Sequence, residues 1–352
     1  MTLSPILYRL HQRFGTPPTP QQVAAETVTV CPAETVPRPP AWFLPGQLDH
    51  VRGYPAMSDP EAQRIRISEG EVTHGATMAY RLDRAALLGG YVFAGGARHQ
   101  MIMDRAPFGP RHPRALQGDV SGDVALIGTP VSDIYFGHYL MDDSATALLA
   151  QEFGTVRAPF GRRRSGWTHA HDYRRMMDIN VPELGDTALG QVWLFDDIGM
   201  NSNRRQRMQQ LRERLRPKHS TRSGHGVFII RARSGQVMRH LENETELADE
   251  LARRGFEIVD PMQETAADLV QRLSGSALAV SVEGSALTHA YLTMQDRGAM
   301  IAIQPPWRFD NVWKDFTDLL GMRYGFVLGE GGRDSFRVDI ADVLRTIDLI
   351  LG

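Results

Sequence analysis

Cysteine is nearly missing: Cys31 is the only one in 352 residues. That excludes an intrachain disulfide framework and any metal site built on several cysteines. No apolar run approaches the ~20 residues of a membrane span, so no transmembrane helix is expected. A surplus of positive charge is missing too. Lys and Arg number 39 against 41 Asp and Glu, a formal net charge of -2, which argues against a nucleic-acid partner, because phosphate-backbone affinity rests on excess Lys and Arg. There is also no Asp-x-Asp triplet, a common way of holding a divalent cation against a diphosphate.

What is present is the composition of a soluble globular protein, with 42% hydrophobic and 23% charged residues. The length makes two domains the economical arrangement. The start, MTLSPILYRLHQRFG, lacks the unbroken apolar core and small-residue cleavage site of a secretory signal and is expected to stay on the protein. Leu3, Ile6, Leu7 and Leu10 fall on one side of a short helix near Arg9 and Arg13. Packing against a domain is the expected use of that stripe, and a membrane-surface contact is the other. The lone cysteine fits a reducing cytoplasm, with attachment to the inner face of the membrane as a variant of that expectation.

The first hundred residues are rich in Pro and Gly with short apolar bursts such as 86–93, and they read as an irregular, partly β-rich half. From about residue 191 the text becomes regular. Strands are expected at 191–195, 226–231, 256–259, 278–282 and 299–303, and helices at 201–215, 265–273, 285–294, 311–320 and 338–351. A further helix is expected from Asn243, as N-cap with Glu246 three residues on, to Gly255. Strands alternating with helices of about ten residues predict a parallel sheet covered on both faces, hence a Rossmann-like C-terminal domain.

Within that half, Glu283-Gly284-Ser285-Ala286 lies where a buried strand gives way to a helix. In an open parallel sheet, ligands bind beyond the carboxyl ends of the strands, and small residues there let a phosphate approach the backbone. The other reading is that Gly and Ala permit tight helix–strand packing. Arg231 and Arg233 follow a strand of the same domain, and Arg239 lies just beyond. Guanidinium groups suit bidentate phosphate contacts, which favours the phosphate reading.

Taken together, Phe228-Ile-Ile-Arg231, then Arg239-x-Leu241-x-Asn243-Glu244, Gly255-Phe-Glu257 and Gly284-Ser-Ala-Leu-Thr288 resemble the family 61 glycosyltransferases, a group that includes capsular and exopolysaccharide enzymes. Tyr135-Phe-Gly-His138-Tyr-Leu-Met-Asp142 resembles that family's His-x-x-x-Asp helix start. The likeness runs over about residues 130 to 325. It departs where the family's turn carries a His and this chain has Glu283.

The resemblance implies an α/β fold of the GT-B kind, two Rossmann-like domains facing a cleft: residues 1–198 on the acceptor side, 199–352 holding a nucleotide-sugar donor. It implies inverting transfer to a glycan or lipid-linked glycan acceptor, with no obligatory metal and no cofactor. His138 oriented by Asp142 would be the base, with Asp143 as the fallback carboxylate. Arg231, Arg233 and Arg239, with Ser285 and Ala286 N–H groups at Gly284, would hold the diphosphate beside Glu283. Asn243 and Glu244 are expected to be structural more than donor-binding. Trp307, Trp313 and Tyr324 could stack on a base or sugar or pack in the core, and Arg162 to Arg164 read as a solvated loop. A catalytically silent glycan- or nucleotide-binding protein, or an unrelated phosphate-binding enzyme, are the competing classes.

Overall fold

The computed structural model describes residues 3–56, 58–103, 119–161, 164–217, 224–231 and 239–352. It is a mixed α/β protein with ten α-helices among those residues. Two compact units form, one from Met1–Glu34 with His74–Leu211, the other from Thr35–Thr73 with Arg212–Gly352. The chain therefore changes unit at 34/35, 73/74 and 211/212, not once at 198/199. The contacts that tie the early excursion to the C-terminal unit are specific. The Trp42 carbonyl accepts from Phe326 N at 3.1 Å and its N–H donates to Tyr324 O at 2.9 Å. The Gln47 side chain accepts from Leu328 N, and Gln63 accepts from Asn311 N at 2.8 Å.

The C-terminal unit carries the expected parallel sheet, in the order Glu257–Val259, Gly226–Ile229, Leu278–Val282, Ala299–Gln304, Arg323–Leu328. Leu278–Val282 and Ala299–Gln304 are buried along their whole length, because helices cover both faces of such a sheet and the strands read as unbroken apolar runs. The order reverses between Gly226–Ile229 and Leu278–Val282. That switch point leaves a crevice at the carboxyl ends of those two strands, where Arg231 and Glu283-Gly284 lie. The last strand, Arg323–Leu328, was not anticipated. Gly325 sits in it because a Cβ there would come within 2.8 Å of the Trp42 carbonyl oxygen, the close backbone approach that glycine in a strand often marks.

The first unit has an eight-stranded mixed sheet. Its long strand Thr77–Leu88 runs antiparallel to Thr187–Asp196, Tyr91–Ala94 and Glu26–Cys31, while Thr187–Asp196, Asp119–Leu126, Thr155–Pro159 and Glu183–Leu184 are parallel neighbours. It thus differs from the all-parallel Rossmann sheet that the resemblance implies. The cause is local: Gly89-Gly90 and Gly95-Gly96 all take positive φ, +54, +81, +52 and +85, and join Thr77–Leu88, Tyr91–Ala94 and Ala97–Gln100 by two-residue hairpins. Two consecutive left-handed residues match the twist of antiparallel strands. The helix Phe136–Ala150 follows the strand Asp119–Leu126, and eleven of its fifteen residues are buried.

No helix among the described residues is long and apolar enough to cross a membrane.

In the C-terminal unit, Arg212 is fully buried and closes the end of the helix Leu287–Thr293, donating to Tyr291 O and, at 2.7 Å, to Met294 O. Carbonyls at a helix end have no partner within the helix. Arg212→Ala should leave them unpaired inside the protein and lower unfolding free energy by roughly 2–4 kcal/mol, a loss that urea titration by far-UV circular dichroism measures.

Candidate functional site

Two clusters of charged side chains form, one in each unit. In the first unit, the opening turn of Phe136–Ala150 places His138 and Asp142 four residues apart, one turn along the same face. His138 Nδ1 lies 2.7 Å from Asp142 Oδ2. Asp142 Oδ1 accepts from Arg204, which also donates to the Asp197 carbonyl. The Asp197 carboxylate is gripped by both terminal nitrogens of Arg207 at 2.7 and 2.6 Å and accepts from Thr146 Oγ1 at 2.8 Å. Burial pushes the Asp142 carboxyl up, but Arg204 and His138 together outweigh it and hold the group below its usual range. Asp142 is therefore a charged orienter of the imidazole.

Asp143, one residue on, faces the interior. It is 2% exposed, and burial raises its carboxyl to about 6 despite the nearby Arg174 and Arg164. Its Oδ2 lies 3.9 Å from Arg174, whose guanidinium sits 3.6 Å from the centre of the Tyr139 ring. As a fallback base it is misplaced: the side chain is locked into the core. Arg164, expected on a solvated loop, is buried too, donating to Pro159 O at 2.5 Å and lying 3.5 Å from Asp133. Arg162 and Arg163 lie outside the described residues.

In the C-terminal unit, the switch point brings Arg231, Arg239, Glu283 and Gly284 together, with all four buried. Gly284 has φ +139, and a Cβ built on it would meet Arg231 Nη1 at 2.4 Å and Arg239 Nη1 at 2.5 Å. Two guanidiniums occupy the space that any other residue's side chain would need. Arg239 Nη1 donates to the Glu283 carbonyl at 2.7 Å and lies 2.6 Å from its carboxylate. Arg308, which sequence reasoning missed, stands 3.7 Å from the same carboxylate and 3.4 Å from Asp310. Burial first, then Arg239, lowers Arg231 to about 10, while Glu283 and Glu244 oppose the shift. Burial and Asp310 raise the Glu283 carboxyl against the pull of Arg239 and Arg308.

Supporting contacts complete this cluster. Glu244 accepts from the Arg231 backbone N–H at 2.8 Å, so it shapes the chain that carries the guanidinium. Asn243 stands at the N-cap position without capping: its amide clamps the Val338 backbone, donating to the carbonyl at 2.9 Å and accepting from the N–H at 3.1 Å. Trp313 donates to Gly284 O at 3.2 Å, and Tyr324 is a core residue whose hydroxyl donates to Asn311 at 3.1 Å; neither offers a face to a ligand. Trp307 packs edge-on against Phe336. Ser285 and Ala286 are half-exposed at the turn. Arg233 lies outside the described residues.

Gly284→Ala should destabilise the protein by roughly 1–3 kcal/mol through left-side backbone strain and displacement of the two guanidiniums, read from denaturant midpoints. For Asp143, the folded pKa near 6 exceeds the ordinary 3.8. The stability this group contributes is therefore full below about pH 4 and lost as pH rises through about 6. Wild type should lose unfolding free energy across that window relative to Asp143→Asn, which urea titrations at stepped pH resolve; a constant difference between the two would contradict it.

Residues 136–301 match the model of the family described as Glycosyltransferase 61. The match opens on the first residue of the helix bearing His138 and closes inside the strand Ala299–Gln304, so it takes in both clusters apart from Arg308 and Asp310. A comparison with curated proteins finds no match. Over residues 136–301 the chain is thus similar to the glycosyltransferase 61 family.

Proposed function

We propose that the protein transfers a sugar, with inversion, from a nucleotide-sugar donor to a hydroxyl of a glycan or lipid-linked glycan acceptor, in surface polysaccharide assembly on the cytoplasmic side of a membrane. The observation that carries this reading is the pair of buried guanidiniums filling the Cβ position of Gly284 at the switch point of a parallel sheet. Arg is suited to bidentate phosphate recognition, and Arg231, Arg239 and Arg308 together supply the positive charge that the leaving diphosphate needs without an obligatory metal. Ser285 and Ala286, at the half-exposed rim of the turn, lie where the backbone meets the phosphates.

In the first unit, a carboxylate acceptor at Asp142 puts the proton of neutral His138 on Nδ1 and the basic lone pair on Nε2. His138 takes the proton of the acceptor hydroxyl as that oxygen attacks the anomeric carbon, and the bond from that carbon to the diphosphate breaks. The imidazolium formed is stabilised by Asp142, itself kept ionised by Arg204. Glu283, ion-paired to Arg239, must change partner or take up a proton when a diphosphate arrives.

Thermal unfolding with a panel of nucleoside diphosphates tests the donor site. One nucleotide should raise the midpoint, in EDTA as well, and Arg231→Ala should abolish the shift. His138→Ala should keep the shift and lose about 10²–10⁴-fold in kcat. Binding without turnover in wild type, across donors and acceptors, would instead favour a silent binding protein.

A further inference from the structure

The helix Ser4–Phe14 packs through a largely polar and aromatic edge and leaves several apolar side chains exposed. Its polar and aromatic edge, Ser4, Tyr8 and His11, is keyed into the hairpin Tyr91–Ala94/Ala97–Gln100. Ser4 Oγ accepts from Gly95 N at 3.1 Å. Tyr8 meets Phe93 edge-on at 5.8 Å, and Arg98 lies between the Tyr8 and Tyr91 rings, 4.6 and 4.7 Å from their centres. His11 occupies the place that a side chain on Gly96 would fill, 2.7 Å from the ideal Cβ. These positions, spaced i, i+4 and i+7, fix the helix's rotation.

The neighbouring edge, about 100° round the helix, is an apolar stripe. Leu3, Ile6, Leu7 and Leu10 are between 40% and 54% exposed, and Phe14 is 77% exposed. Arg9 and Arg13, both exposed, flank it, and the helix has no carboxylate; the first acidic residue in the sequence is Glu26. An apolar edge bordered by arginines, on a helix that carries no carboxylate of its own, is complementary to an anionic lipid surface, with Leu and Phe entering the acyl boundary and Arg meeting the headgroups. A second copy of the chain fits less well, because stacking the stripes brings Arg9 and Arg13 against their like-charged counterparts.

We propose that the Ser4–Phe14 helix is a membrane-surface element that seats the protein on anionic lipid bilayers through Leu3, Ile6, Leu7, Leu10 and Phe14, with Arg9 and Arg13 at the headgroups. This goes beyond the sugar-transfer reading and stands independently of it. Co-sedimentation of the full chain with vesicles of phosphatidylcholine mixed with phosphatidylglycerol, against phosphatidylcholine alone, tests it. Wild type should pellet with the mixed vesicles, more weakly as salt is raised. The double variant Leu7→Asp/Leu10→Asp should bind at least about tenfold more weakly, and Arg9→Glu/Arg13→Glu should lose the preference for anionic vesicles. Both substitute exposed positions, Leu7 being the one that borders the hairpin at Gly96, and circular dichroism checks that they fold. Absence of wild-type binding to mixed vesicles would overturn the proposal, as would equal binding by the Leu7/Leu10 variant. So would a stripe-dependent dimer in light scattering without vesicle binding, which assigns the surface to a second copy.

Discussion

Two guanidiniums held side by side inside a protein repel each other and lose hydration together, and much of the C-terminal unit is arranged around making that tolerable for Arg231 and Arg239. The first requirement is room, met by Gly284, whose absent side chain they replace. The second is compensating charge. Glu283 supplies it to Arg239 and Arg308, and Glu244 fixes the Arg231 backbone while opposing the fall in its guanidinium's pKa. Neither sign of charge is comfortable: Arg231 is lowered and the Glu283 carboxyl is raised, each chiefly by burial. A buried ionic cluster of this kind is poor evidence for stability. Under the sugar-transfer reading proposed above, it is a preorganised set of charges whose partners can be exchanged. The carboxylate at the turn belongs to that balance, 2.6 Å from Arg239 and 3.7 Å from Arg308.

The helix carrying His138 shows how neighbouring residues acquire opposite electrostatic fates. Asp142 and Asp143 are adjacent, so on a helix they point roughly 100° apart. Asp142 meets Arg204 and His138 and stays ionised; Asp143 meets the interior, and its proton is held to about pH 6. Separation of carboxyl pKa values by environment is how one scaffold assigns distinct roles to like groups. Here it marks Asp142 as the partner of the imidazole and Asp143 as part of the packing beneath it.

The legible part of the fold was the part buried on both faces. Strands such as Leu278–Val282 announce themselves as apolar runs between helix caps, and the turn at Gly284 followed from them. Arg323–Leu328 did not, because it opens on a charge and contains Gly325, placed there by a contact with Trp42 nearly three hundred residues away. The assignment of Thr35–Thr73 to the C-terminal unit was invisible for the same reason. By contrast, Leu88-Gly-Gly-Tyr and Ala94-Gly-Gly-Ala were local hairpin signals that the sequence did offer. In the site, Arg231, Arg239 and His138 with Asp142 were readable from spacing or resemblance. Arg204 and Arg308 were not, since their roles depend on where each side chain points after folding.

The Arg-rich helix Ser202–Leu215 carries this further. Its composition reads as a solvated surface, yet Arg204 and Arg207 are 1% and 6% exposed. Each buries its planar fork against a carboxylate and a carbonyl, Arg204 on Asp142 and Asp197 O, Arg207 on Asp197 and Ala145 O. A lysine offers one compact charge and cannot span two acceptors in fixed geometry. Among the described residues of the basic runs, Arg164, Arg204, Arg207, Arg231 and Arg239 are therefore internal connections while Arg205 is exposed, and a formal charge near zero says little about what the surface presents.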